Sequence, residues 1–92
     1  MLFLARMDVS FPAHLTTEQV ADFQVREKAY SAQLQESGKM QGIWRIVGEY
    51  ANHSIYDVES NDELHQILSG FPMYAYMKIK VTPLAKHPNS IR

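Results

Sequence analysis

The chain has 92 residues, a length that suits a single domain over residues 1–92 with one core. Its formal net charge is −1 at pH 7, so charge gives no indication of a nucleic-acid or anionic-membrane partner. Cysteine is absent, which excludes disulfides and thiolate chemistry and fits a reducing cytoplasm. No apolar stretch reaches the length of a membrane span.

The first half of the chain predicts a strand followed by a long helix. Residues 2–11 alternate in polarity and end before Pro12, as a half-buried strand does. Thr16 and Gln19 form a Thr-x-x-Gln capping box, and Gly38 has the position of a C′ glycine. We therefore expect a helix that begins just after the box and ends just before the glycine.

The second half predicts two strands, a short helix and a last strand. The strand-like runs cover residues 42–50 and 53–58, and we place the bend between them around Asn52, which tolerates turn geometry. Ser60 and Glu63 form a second capping box that opens the short helix. The run "AYMKIKV" then alternates as the final strand.

The element order β-α-β-β-α-β predicts an α+β ferredoxin-like fold, with a four-stranded antiparallel sheet and both helices on one face. The other face would be uncovered, and it is apolar if it carries Leu2, Leu4, Val47 and Tyr56. We expect two such sheets to pair in a dimer, which covers this surface. Residues 83–92 form a tail that we expect to pack on a neighbouring subunit.

A glutamate occupies the apolar stripe of the first helix. At about 100° per residue, a 3-4-3-4 spacing centred on Glu27 puts these residues on one face: Val20, Phe23, Glu27, Tyr30 and Leu34. A buried carboxylate without a partner has its pKa raised from about 4.3 towards neutrality, which suits a general base. The spacing alone favours a different interpretation, in which Glu27 pairs with Arg45 or Lys28, or extends to the helix edge.

The strand "IWRIVGEY" supplies further candidates. Alternation puts Trp44 and Tyr50 on one face, which we expect to meet Glu27, and Arg45 on the other. Gly48, between them, would leave a gap in which a small substrate could fit. The alternative is that Trp44 and Tyr50 are core residues, which is the more common role of aromatic side chains in such a strand. Arg45 suits carboxylate binding, with a surface or interface salt bridge as an equal alternative. No metal-ligand spacing links the four histidines, so we predict no metal site among His14, His53, His65 and His87.

Taken together, these segments resemble the muconolactone Δ-isomerase family over essentially the whole chain. The matching segments are "MLF" at the start, "EK" at 27–28, "WRIVGEYAN" at 44–52, "SIYDV" at 54–58, "LH" at 64–65 and "HPNSI" at 87–91. The resemblance implies a cytoplasmic enzyme of aromatic catabolism that forms decamers built from dimers and uses no cofactor or metal. It would isomerise (+)-muconolactone to the 3-oxoadipate enol-lactone in the catechol branch of the β-ketoadipate pathway.

The resemblance also implies a catalytic residue and a set of substrate contacts. The family's glutamate in the helical "EK" pair falls on Glu27, which favours a pocket carboxylate over an ion pair. Arg45 is our first choice for the substrate carboxylate. The other predicted substrate contacts are Lys28, Trp44, Tyr50, Asn52 and His87. Relatives commonly carry tyrosine where this chain has His53, which leaves the role of that position open.

Three alternative functions are compatible with the sequence. A chloromuconolactone dehalogenase shares the scaffold, so a chlorinated lactone is a second substrate class. A dimeric ferredoxin-like monooxygenase would differ by binding haem or by forming quinones. A non-catalytic ligand sensor is the third, although this chain has no spare length or positive charge for a DNA-binding segment.

Overall fold

The computed structural model describes residues 1–92 and has the predicted order β-α-β-β-α-β. The elements are β1 Leu2–Val9, α1 Thr17–Glu36, β2 Met40–Arg45, β3 Ala51–Asp57, α2 Asn61–Ser69 and β4 Met77–Leu84. The strands form one antiparallel sheet in the order β2-β3-β1-β4. This confirms the ferredoxin-like fold. Neither helix combines the length and the apolar character that crossing a membrane requires.

Local capping explains both ends of α1. The Thr16 hydroxyl accepts the Gln19 backbone N–H at 3.1 Å, and the Gln19 side-chain oxygen accepts the Thr16 N–H at 2.8 Å. At the other end Gly38 has φ +80°, a conformation that costs glycine little. The predicted start and end of this helix are confirmed.

The second helix is capped differently from the prediction. Ser60 accepts the Glu63 N–H at 3.0 Å, but the Glu63 carboxylate accepts the Glu59 N–H at 3.2 Å rather than that of Ser60. Gly70 ends α2 with φ −82°, so left-handed geometry is not the reason for glycine here. A Cβ on Gly70 would collide with the Tyr30 hydroxyl, so the missing side chain leaves room for the tip of the Tyr30 side chain at the end of α2.

The core lies between the sheet and the helices. Its nine buried members are Phe3, Ala5, Met7, Met40, Tyr56, Val58, Leu64, Leu68 and Phe71. β1 buries Phe3, Ala5 and Met7, which leaves Leu2 and Leu4 on the opposite face, as expected. Tyr56 was expected on the uncovered face, and that expectation is wrong, because β3 aligns it with Phe3 and buries it completely. Val47 does not lie on that face either, since it is 95% exposed in a turn.

The bend between β2 and β3 lies at residues 46–50, before the predicted position at Asn52. The Glu49 N–H donates to the Ile46 carbonyl at 3.1 Å, and Gly48 at the third position of this turn has φ +81°. A positive φ at that position is the geometry of a type II turn, which favours glycine. Asn52 therefore lies inside β3.

The predicted facing of β2 is also wrong. A β-bulge between Met40 and Gly42 shifts its pairing with β3 by one residue. Because side chains alternate along a strand, this shift turns Arg45 toward the helix layer and leaves Trp44 56% exposed on the uncovered face. There the Trp44 ring lies against Gly42, where a Cβ would clash with it.

The last strand extends further than predicted. β4 runs to Leu84, so Pro83 and Leu84 belong to the sheet and not to the tail. Pro83 is tolerated because β4 is an edge strand, where a missing N–H removes no bond from the interior of the sheet. Residues 85–92 are exposed. Packing of this tail on a neighbouring subunit stays a prediction.

Candidate active site

A cavity of about 320 Å³ lies between α1 and the sheet. Residues of β2, β3 and the turn that joins these two strands form part of its wall. Five of the predicted site residues line it: Glu27, Lys28, Arg45, Tyr50 and Asn52. The apolar part of its wall consists of Met7, Val9, Ile43, Phe71, Met73 and Met77. The cavity therefore combines an apolar wall with a few polar groups, as small-molecule sites do.

Glu27 projects from the middle of α1 into the wall of this cavity. Its Oε1 accepts the backbone N–H of Met73 at 3.1 Å, and its side chain takes part in no ion pair. The predicted alternative of a pair with Arg45 or Lys28 is therefore wrong for this structure. Burial raises the pKa of the Glu27 carboxyl, and the Met73 N–H opposes that rise by stabilising the charged form.

Glu27 marks the boundary between core and cavity on the surface of α1. Tyr30 and Leu34, about 60° and 20° to one side around the helix axis, pack against the core. Gln24 and Ser31, about 60° and 40° to the other side, line the cavity. The sequence prediction missed Gln24 and Ser31, although the same angular reading of the helix identifies them.

Arg45 lies at the rim of the cavity, where its guanidinium group packs against the ring of Tyr50. Its guanidinium carbon is 5.2 Å from the centre of the Tyr50 ring, within cation–π range. The Tyr50 hydroxyl in turn accepts a hydrogen bond from the Gln24 side-chain amide at 3.0 Å. The turn that carries Tyr50 is thus connected to α1. Arg45 forms no ion pair, so its charge is available to an anion.

Asn52 contributes an unpaired polar group to the same wall. It pairs with Met7 in β1 and with Arg45 in β2, so its side chain lies above the sheet on the helix side. Its Oδ1 atom is buried and has no hydrogen-bond partner in the chain. Buried polar atoms are nearly always paired, so an exception at a cavity wall is consistent with a ligand contact.

Two predicted substrate contacts lie elsewhere in the chain. Trp44 is on the uncovered face of the sheet, and His87 is in the exposed tail, where its Nδ1 accepts the Asn89 N–H at 3.0 Å. Neither lines the cavity of its own chain. His53 is the cross-strand neighbour of Trp44 and does not line this cavity either.

Comparisons with known proteins agree on one family. The family model described as muconolactone delta-isomerase matches residues 1–90. The chain is 61% identical to the muconolactone Delta-isomerase of Cupriavidus pinatubonensis, with both chains covered completely. It is 55% identical to that of Acinetobacter baylyi, covering 100% of this chain and 96% of the relative.

Solved structures show the same relationship. A crystal structure of muconolactone isomerase superimposes with a TM-score of 0.95 at 38% identity, covering 100% of this chain and 96% of the other. A 5-chloro-2-hydroxyhydroquinone dehydrochlorinase from Burkholderia phenoliruptrix gives a TM-score of 0.61 at 22% identity, covering 95% and 96% of the two chains. The second match shows a shared fold only.

Proposed function

This chain belongs to the muconolactone Δ-isomerase family, and we propose that it converts (+)-muconolactone to the 3-oxoadipate enol-lactone. The reaction belongs to aromatic catabolism through the β-ketoadipate pathway and moves one proton and one C=C bond within a lactone. The observation that carries the proposal is Glu27. It is a carboxylate in a cavity wall with no ion-pair partner, and burial raises its pKa, which makes it a stronger base.

The proton shift needs a single base. Ionised Glu27 removes the proton from C4 of the lactone, and the electron pair of that C–H bond forms the C3=C4 bond. The π electrons of the C2=C3 bond form a double bond between C2 and the carbonyl carbon, and the π electrons of the carbonyl move onto its oxygen, which gives a dienolate. Protonated Glu27 returns the proton to C2, the carbonyl re-forms, and the enol-lactone retains the C3=C4 bond. All atoms of the substrate are kept.

The other groups of the cavity suit binding and charge stabilisation. Arg45 would take the carboxymethyl carboxylate of the substrate, because it is free of ion pairs and is supported by Tyr50. Lys28 supplies a second cation in the lining of the cavity. Asn52 and Tyr50 carry amide and hydroxyl donors for the dienolate oxygen. The apolar wall limits water and so strengthens these interactions.

The proposal extends to assembly and location. The family resemblance supports a decamer built from dimers and a cytoplasmic enzyme. Leu2, Leu4 and Trp44 on the uncovered face support a contact between the sheets of two subunits. Within such an assembly, we propose that Trp44 and His87 contact the substrate in the cavity of a neighbouring subunit.

An ultraviolet assay of the purified protein tests this function. The protein is incubated with muconolactone and, in parallel, with its 5-chloro analogue, while enol-lactone formation and chloride release are recorded. We expect rapid conversion of muconolactone. No conversion of either lactone would contradict the proposal, and chloride release without isomerisation would assign the chain to dehalogenation instead.

A further inference from the structure

A tight turn precedes the last strand and faces Glu27. It consists of Phe71, Pro72, Met73 and Tyr74, and the Tyr74 N–H donates to the Phe71 carbonyl at 2.9 Å. Met73 has φ −92° and ψ 10°, the values of the third residue of a type I turn. Pro72 occupies the second position, where its ring fixes φ near the value that this turn requires.

This turn leaves one donor free. In a type I turn the N–H of the third residue has no partner inside the turn, and here the Met73 N–H donates to Glu27 Oε1 at 3.1 Å. It is the one hydrogen bond that the Glu27 side chain receives from the protein. One carboxylate oxygen is therefore held, and the second is left without a protein donor at the cavity.

Side chains on both sides of Pro72 anchor the turn. Phe71 and Met73 are 3% and 4% exposed, and both line the cavity. The Phe71 ring packs edge-on against Tyr30 of α1, with ring centres 4.8 Å apart. Because Tyr30 is one helical turn from Glu27, the turn and the carboxylate are fixed to the same stretch of helix.

We propose that the turn over residues 71–74 is a positioning element for the base, in which Pro72 holds the Met73 amide so that it fixes one oxygen of Glu27 and leaves the other for the substrate. This inference rests on the proposed function and deepens it. Pro72 does not touch the substrate, and it acts through Met73. The Met73 N–H of this turn also opposes the rise in the Glu27 pKa that burial causes, because an N–H donor stabilises the charged form.

Pro72→Gly tests the positioning role, because glycine frees the backbone at the second position of the turn. We expect kcat at neutral pH to fall about tenfold, the order of one weakened hydrogen bond to a charged group, with KM changed less than twofold. The acid limb of the kcat/KM profile should move to higher pH, because Glu27 loses the donor that lowers its pKa. Pro72→Ala should show a smaller shift in the same direction.

The matched control is Pro12→Gly, which alters a proline in a loop that lines no cavity. It should leave kcat and the pH profile unchanged. Melting curves show whether each variant is folded. A folded Pro72 variant with the parent's kcat and acid limb would overturn the inference.

A second measurement does not depend on turnover. With ¹⁵N-methionine the backbone amides of Met7, Met40, Met73 and Met77 can be followed in a ¹H–¹⁵N spectrum, and Met73→Leu identifies the relevant signal. We expect the Met73 signal to titrate with the midpoint of the acid limb and to lose this titration in Glu27→Gln. A Met73 signal that does not change with pH overturns the inference, whereas an inactive protein with a titrating signal contradicts only the proposed function.

Discussion

At the scale of single residues, Glu27 is placed where it is useful to chemistry and unfavourable for folding. A carboxylate in a partly buried position loses hydration, and a single backbone donor replaces only part of it. No cation compensates the charge. Retaining the charge without a cation keeps the carboxylate basic, which a salt bridge to Arg45 or Lys28 would prevent.

This placement predicts a pH-dependent gain in stability on removing the charge. Because the pKa of Glu27 is raised in the folded protein, the folded state keeps this proton to a higher pH than the unfolded chain does. The associated stability is fully present below the unfolded value of about 4.3 and is lost as pH rises through the folded pKa. Glu27→Gln should therefore raise the melting temperature at pH 8 by a few degrees, on the order expected for a small domain, and by less at pH 5.

The control for this prediction is Glu59→Gln, which removes an exposed carboxylate outside the helices and strands. Its melting temperature should stay close to that of the parent at both pH values. A Glu27→Gln protein that is less stable than the parent at pH 8 would show that the carboxylate stabilises the fold.

At the scale of elements, two glycine-dependent turns differ in their consequences for the site. Gly38 and Gly48 have φ +80° and +81°, and an added Cβ would meet no atom within 4 Å at either position. A substitution at either position therefore costs backbone strain and not a clash. Only the Gly48 turn leads into Tyr50 and Arg45 at the cavity rim.

Gly48→Ala and Gly38→Ala form a matched pair. Each should destabilise the protein by roughly 1 kcal/mol, because an L-residue is disfavoured at positive φ. Gly48→Ala should also raise KM for the lactone several-fold by displacing the support of Arg45, while Gly38→Ala should leave KM unchanged. Denaturation curves and steady-state kinetics measure the two effects. Equal KM values in both variants would show that the turn does not control substrate binding.

Some elements could be predicted from sequence because their causes are local. The capping box at Thr16 and Gln19 and the alternation of β1 each depend on a few neighbouring residues. The face of β2 could not be predicted, because a bulge after Met40 reverses it and depends on pairing with β3. The Met73 donor reaches Glu27 across 46 residues of sequence, a distance over which no periodicity is informative.

At the scale of the whole molecule, the sheet is covered by helices on one face only. The uncovered face is apolar at one end, where Leu4 lies between Ile55 and Thr82 on the neighbouring strands. Its other end carries Arg6 and Lys80, with further charged residues beside them. An apolar surface of this kind on a small domain is typical of an association surface.

This surface predicts how the proposed assembly can be weakened. Leu4→Lys puts a charge at the centre of the apolar end and should reduce the assembly to smaller species, because a buried unpaired charge is costly. Gln33→Lys makes the same charge change at an exposed position on α1 and serves as the control. Light scattering coupled to size exclusion gives the masses as multiples of 10.6 kDa. An unchanged mass for Leu4→Lys would exclude this face as the contact.

If Glu27 is the base, Glu27→Gln removes the proton acceptor of the reaction. Glutamine keeps the volume and an oxygen that can accept the Met73 N–H, but it cannot take a proton from the substrate. Measured on muconolactone with purified, folded protein, kcat should fall by at least roughly 10²-fold, the low end for general-base catalysis, with KM little changed. A kcat close to that of the parent would show that a group other than Glu27 moves the proton.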